Sequence, residues 1–113
     1  MVNTRDLYVA AIAEHGRCKE SGDYKRGNAA YDRMTAALAE LRGRVDRGEA
    51  VLIELLGHEN GWVRSAAATH LLPSQPELAT AILEDLASGP QSKLEFNAMM
   101  VLREWRAGTL NIP

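Results

Sequence analysis

The segment Ala50-Val51-Leu52-Ile53-Glu54-Leu55-Leu56 returns 31 residues later as Ala81-Ile82-Leu83-Glu84-Asp85-Leu86-Ala87. The echo continues at the same offset, where Val63, Ala67 and Leu71 fall on Leu94, Ala98 and Leu102. What repeats is therefore a pair of amphipathic helices, not a single apolar stripe. Periods of this length mark stacked helical repeats, in which no unit buries its apolar face alone and each depends on its neighbour. Core positions are kept between the copies, while positions read as outward differ: Arg64 against Glu95, and Ala68 against Met99.

The rest of the chain reads in the same terms. Asn3 is placed to cap a first helix, with Asp6 as its N3 acid and Tyr8, Ala11, Ile12, His15 and Cys18 on one face. That helix ends near Ser21-Gly22. Asp23 opens a second, whose inward stripe is expected to be Tyr24, Asn28, Tyr31, Thr35, Leu38 and Leu41, with a stop at Gly43. A third helix is expected over Asp46 to Leu56, and Gly57-His58-Glu59-Asn60-Gly61 forms a corner before a fourth begins at Trp62. Ser74 with Glu77, and Ser92 with Glu95, read as capping boxes for a fifth helix (Leu78 to Ala87) and a sixth ending at Gly108. No segment alternates with period 2, so no strand is expected.

These helices predict an all-α fold of about six helices in three antiparallel hairpins, residues 1–113 forming one domain. Residues 1–43 are a divergent N-terminal hairpin, 46–72 and 75–108 the two repeat copies, and 109–113 a tail. At 113 residues with 46% hydrophobic side chains, the chain has material for one continuous core.

Charge narrows the function classes. Through Gly48 there are nine Lys/Arg against seven Asp/Glu, and from Glu49 onward four against eight. Broad nucleic-acid binding draws its affinity from concentrated positive charge, so nucleic acid is not an expected partner. The acidic C-terminal half suits a basic protein instead. The longest apolar run is far short of the roughly 20 residues that span a bilayer, which removes membrane insertion. Cys18 is the only cysteine and no leader-like stretch precedes the first helix, so the cytoplasm is the expected compartment.

The segment Leu55-Leu56-Gly57-His58-Glu59-Asn60-Gly61-Trp62-Val63-Arg64-Ser65-Ala66-Ala67 resembles the HEAT-repeat pattern: an apolar helix end, a short polar corner, then a Val-Arg-x-x-Ala-Ala helix start. A wider run is similar to a family of small bacterial HEAT-like proteins of unknown function. It extends from Gly22-Asp23-Tyr24-Lys25-Arg26-Gly27-Asn28 through Tyr31-Asp32-Arg33 to Leu102-Arg103-Glu104-Trp105-Arg106-Ala107-Gly108. The resemblance implies a HEAT-like α-solenoid in a bacterial cytoplasm. In size, acidity and lack of chemistry the chain is also similar in type to immunity proteins of polymorphic toxin systems.

No catalytic set assembles from the sequence. His58-Glu59 is the one place where a Glu follows a His, and the 31-residue offset sends it to Gly89-Pro90, so the repeated His-Glu pairs of HEAT-like metal oxygenases are missing and no metal or cofactor is expected. His70 reads as a core or rim histidine, and Cys18, three residues after His15, as a buried thiol. Asn28 is a polar residue on an apolar stripe, which must be paired or exposed. Gly27 beside it suggests close helix approach. Arg42, Arg44 and Arg47 cluster at a turn, where they complement a helix C-terminus. Trp105 is expected inside and Trp62 partly exposed.

The candidate binding residues are thus Asn28, Trp62, Arg64, Glu95, Met99 and Arg103. The leading expectation is a non-enzymatic protein-binding module, most concretely an immunity-type inhibitor of a toxin. A small-ligand or nucleotide binder using Asn28, Tyr31 and the arginine corner stands second, and an enzyme acting on nucleic acid or through a metal last.

Overall fold

The computed structural model describes residues 3–90 and 92–113. Among them are six α-helices and no strand: α1 (Thr4–Ser21), α2 (Tyr24–Arg42), α3 (Glu49–Leu55), α4 (Gly61–Leu71), α5 (Pro76–Ala87) and α6 (Lys93–Ala107). The expected all-α class and helix number hold. The chain divides into two compact units, one running to Val51 and the other from Leu52 to Ile112.

In the first unit α1 and α2 pack against each other. Asn3 and Asp23 cap them as expected, accepting from the backbone N–H of Asp6 and Arg26 respectively. Each cap satisfies one of the amides a helix start leaves free. Gly22 closes α1 in the left-handed conformation. Tyr8, Ala11, Ile12 and Cys18 are buried on α1, and burial pushes the Tyr8 phenol far above its ordinary range.

The inward stripe of α2 is the expected one at Leu38 and Leu41 but not over its first half. Its buried residues are Gly27, Ala30, Met34, Ala37, Leu38 and Leu41, whereas Tyr24 is 83% exposed, Tyr31 42% exposed and Asn28 also exposed. Three of the buried positions are Gly or Ala, so the two backbones approach closely. A Cβ at Gly27 would lie 3.2 Å from Cys18 Cβ. Ranking positions by side-chain size put the tyrosines inside; close packing selects the small residues and leaves the large ones on the flank.

The expected third helix is shorter by three residues at its start. Arg47 has φ 58° and Gly48 φ 77°, so the backbone turns in the left-handed region before α3 begins. A Cβ at Gly48 would sit 2.8 Å from Leu41 Cβ, which explains glycine there on both conformational and steric grounds. Asp46 holds this turn: its carboxylate accepts from the N–H of Gly48 at 2.9 Å and of Ala50 at 3.1 Å. Those amides, Ala50's first, hold the carboxyl below the usual range.

In the second unit α5 packs against both α4 and α6. The 31-residue register is visible in burial: Leu52 and Leu83 are both fully buried, as are Ala67 and Ala98, while Leu55 with Leu86 and Leu71 with Leu102 are buried in both copies. Asn60 caps α4 as expected, accepting from Trp62 N–H at 2.9 Å. Ala68, read from the sequence as outward, is fully buried. Neither capping box forms. Pro76 begins α5 with no side-chain cap at Gln75, and Ser74 instead donates to the Leu71 carbonyl. Pro pre-sets the first helical φ and lacks the amide a cap would satisfy, so the helix starts without one. Ser92 holds the N-cap position of α6 without a side-chain hydrogen bond, and Gly108 ends the helix at φ 76°. Trp105 is half-buried, not fully inside.

Candidate functional site

Among the described residues of the second unit, helix α6 carries the two most exposed large apolar side chains. Phe96 is 59% exposed and Met99, one turn on, 51%. Four residues further lies exposed Arg103, and spacings of three and four keep all three on neighbouring lines of the helix. Between α6 and the end of α5 runs an open groove of about 660 Å³, lined by Glu84, Ala87, Ser88, Met99, Leu102 and Arg103 with Arg106. Its floor is apolar at Leu102 and Ala87. On its walls Arg106 donates to Glu84 at 2.7 Å, so these two charges answer each other. Arg103 has no charged or hydrogen-bonding side-chain partner among the described residues.

Glu95 lies one turn before Met99. It is half-buried and leans over Gly89, where a Cβ would meet its Oε1 at 2.9 Å, and its Oε2 is buried without a hydrogen-bond partner. Three of the sequence-derived candidates, Glu95, Met99 and Arg103, therefore share one line of α6 at successive turns.

The other candidates are elsewhere. Arg64 on α4 is not free for a partner: its Nη1 donates to the carbonyls of His58 at 2.7 Å and Glu59 at 3.0 Å, closing the corner that leads into its own helix. Trp62, at the start of α4, is half-buried, in keeping with its expected partial exposure. Asn28 belongs to the first unit, on an exposed flank of α2 between Tyr24 and Tyr31. There the Tyr31 ring meets that of His15, centroids 5.7 Å apart and tilted by 52°. Burial, then the Lys19 charge, pulls the His15 pKa below its usual value.

His58, His70 and Cys18 are all at least half-buried. His58 Nδ1 accepts from Asn60 N–H at 3.0 Å, which ties the imidazole into the corner. His70 is buried. Cys18 is a buried free thiol, pushed up by burial and by the Glu14 carboxylate. Among the described residues no group of three or more His, Cys, Asp or Glu could hold a metal ion, and no helix is long and apolar enough to cross a membrane.

The chain is similar to the protein RPA1889 from Rhodopseudomonas palustris CGA009. Its structure matches that crystal structure with a TM-score of 0.85 at 24% identity, over 100% of this chain and 96% of the other. At that identity the likeness shows the fold alone. No protein-family model matches the chain, and no curated protein matches it.

Sequence reasoning missed Phe96, the Glu84 and Arg106 pair, and the exposure of Tyr24 and Tyr31. Phe96 was legible as a residue three before Met99 and off the Leu94, Ala98, Leu102 stripe. The Glu84 and Arg106 pair spans 22 residues between two helices, and only their packing reveals it. Chemically, the α2 face offers two tyrosine rings and the Asn28 amide, and the α6 face offers Phe96, the Met99 thioether and the Arg103 guanidinium.

Proposed function

We propose that the protein is a non-enzymatic, HEAT-like protein-binding module of stacked helical hairpins, most concretely an immunity-type inhibitor that masks a toxin. One observation carries this reading: large side chains are left uncovered on the ordered faces of helices, Tyr24 and Tyr31 flanking Asn28 on α2, and Phe96 with Met99 on α6. Exposed tyrosine with asparagine is the chemistry of protein recognition, because Tyr brings contact area at little entropy cost and Asn brings adaptable hydrogen bonds. The α2 stripe is accordingly the client face. An inhibitor of this kind works in the bacterial cytoplasm, where Cys18 stays reduced.

The test is capture of the product of an adjacent gene by the tagged full-length chain. Capture by the wild type, weakened at least about tenfold by Tyr24→Ala with Tyr31→Ala, supports the proposal. No capture of any adjacent product, or capture indifferent to both tyrosines, counts against it. A second reading, a small-ligand site beside Asn28, draws on the His15 and Tyr31 ring contact. A ligand of that kind would raise the melting temperature in a nucleotide and metabolite screen, and a flat screen removes it.

A further inference from the structure

On α6, Glu95, Met99 and Arg103 stand four residues apart on one line, a carboxylate and a guanidinium placed symmetrically about an exposed thioether. Arg103 has no partner among the described residues, and Glu95 Oε2 has no hydrogen bond. The repeat shows what this line does when it is covered. At the 31-residue offset its counterparts on and just after α4 are Arg64, Ala68 and Leu72. There Ala68 and Leu72 are fully buried and Arg64 is hydrogen-bonded to the corner. Arg64 and Glu95 are both half-buried, but from there the copies part: the line is interior at Ala68 and Leu72 and open at Met99 and Arg103.

We infer that a second copy of this chain covers that line, so that the protein is a homodimer closed by antiparallel packing of α6 on α6. A two-fold axis passing by Met99 sets the two Met99 side chains against each other. The same operation brings Arg103 of each copy to Glu95 of the other, because a residue four before the axis meets one four after it. Charge complementarity singles out this occupant: the sequence of signs along the line, negative, neutral, positive, is its own complement only when read in reverse. Rotation of the Glu95 side chain away from Gly89 gives its orphaned oxygen a charge-assisted hydrogen bond. Phe96 extends the apolar area at the rim. The seam is one helix face, so the dimer is reversible and its population follows concentration.

The experiment is sedimentation equilibrium of the full chain over a concentration series, for the wild type, R103E, E95R, and a 1:1 mixture of these two variants. The wild type is expected to dimerise. Each variant alone juxtaposes like charges twice across the axis and weakens the dimer at least about tenfold. In the mixture one copy carries two positive and the other two negative residues, so both contacts become attractive and a heterodimer forms. The double variant E95R with R103E restores self-association and controls for folding. A wild type that stays monomeric at its solubility limit overturns the inference, as does a dimer that R103E leaves unchanged or a mixture no better associated than its parts. The inference goes beyond client recognition and fails separately from it: Tyr24→Ala with Tyr31→Ala leaves the dimer intact, and a monomeric protein that still captures its client through those tyrosines keeps the proposed function.

Discussion

Leu52 and Leu83 occupy the same register position in the two copies, and both are fully buried, so truncating each tests whether the repeat is a structural unit. Leu→Ala removes three carbons, worth about 2.4 kcal/mol of transfer free energy at ~0.8 per methylene. A cavity term adds to that wherever the surroundings cannot collapse. Leu83 sits on α5, which is held by α4 on one side and α6 on the other, so little collapse is available and the total is expected near 3 to 4 kcal/mol. Leu52→Ala is expected within about 1 kcal/mol of it. Ile53 supplies the control, being 41% exposed; Ile53→Ala removes a similar volume yet should cost about 1 kcal/mol or less. Urea unfolding followed by circular dichroism measures all three, with the slope checked for each variant so that a change in midpoint can be read as stability. If Leu83→Ala costs less than about 1 kcal/mol, or Ile53→Ala as much as Leu52→Ala, the burial register does not describe the packing and the reasoning fails.

Three further outcomes follow from local geometry. Gly27→Val is expected to destabilise by about 2 kcal/mol, since the 3.2 Å approach of Cys18 Cβ leaves no room for a branched side chain and that atom cannot swing away from its backbone; thermal unfolding reads it. Arg64→Ala should cost about 1 to 2 kcal/mol by releasing the His58 and Glu59 carbonyls, with client capture per folded molecule unchanged, which separates a structural arginine from a binding one. Asp46→Ala should lower the urea midpoint at pH 7 but progressively less in acid. The folded pKa of Asp46 is depressed, so its contribution is fully present above the unfolded value, about 4, and disappears as pH falls through the folded value. A difference that persists undiminished below both values would contradict the assignment of Asp46 as the group holding the turn.

The helices and most of their ends were legible because local chemistry decides them. Asn3, Asp23 and Asn60 each have a side-chain oxygen that reaches an amide of the first turn, and this depends on no distant residue. Gly22 and Gly108 end helices for an equally local reason, their left-handed φ. The capping boxes failed for a reason only partly local: Ser74 has a competing carbonyl, that of Leu71, within reach, and Pro76 already starts the helix. The stripe of α2 held at Leu38 and Leu41 and failed in its first half, because two periodic lines lie about a third of a turn apart on the same helix. Choosing between Tyr24, Asn28, Tyr31 and Gly27, Ala30, Met34 needs the distance to α1, and that distance is set by the small residues facing it.

The candidate site divides in the same way. Comparing the two copies picked out Glu95 and Met99 as positions where the repeat changes, and both lie on the line that α6 leaves open. It misjudged their counterparts, because a difference between copies marks a change of environment and does not say which copy is the exposed one. Ala68 is small where it is covered; Met99 is large, and Arg103 is charged where Leu72 is apolar, on a stretch of α6 that stays exposed. Net charge misleads for a related reason. The C-terminal part carries eight acids against four bases, yet the groove beside α6 holds Arg103 and Arg106 against Glu84 alone. A partner that reads the whole segment meets an acidic surface, while one seated in the groove meets an unanswered guanidinium. The sign of the salt dependence therefore distinguishes the faces: self-association through Glu95 and Arg103 should weaken as salt screens its paired charges, and apolar client contact through Tyr24 and Tyr31 should not.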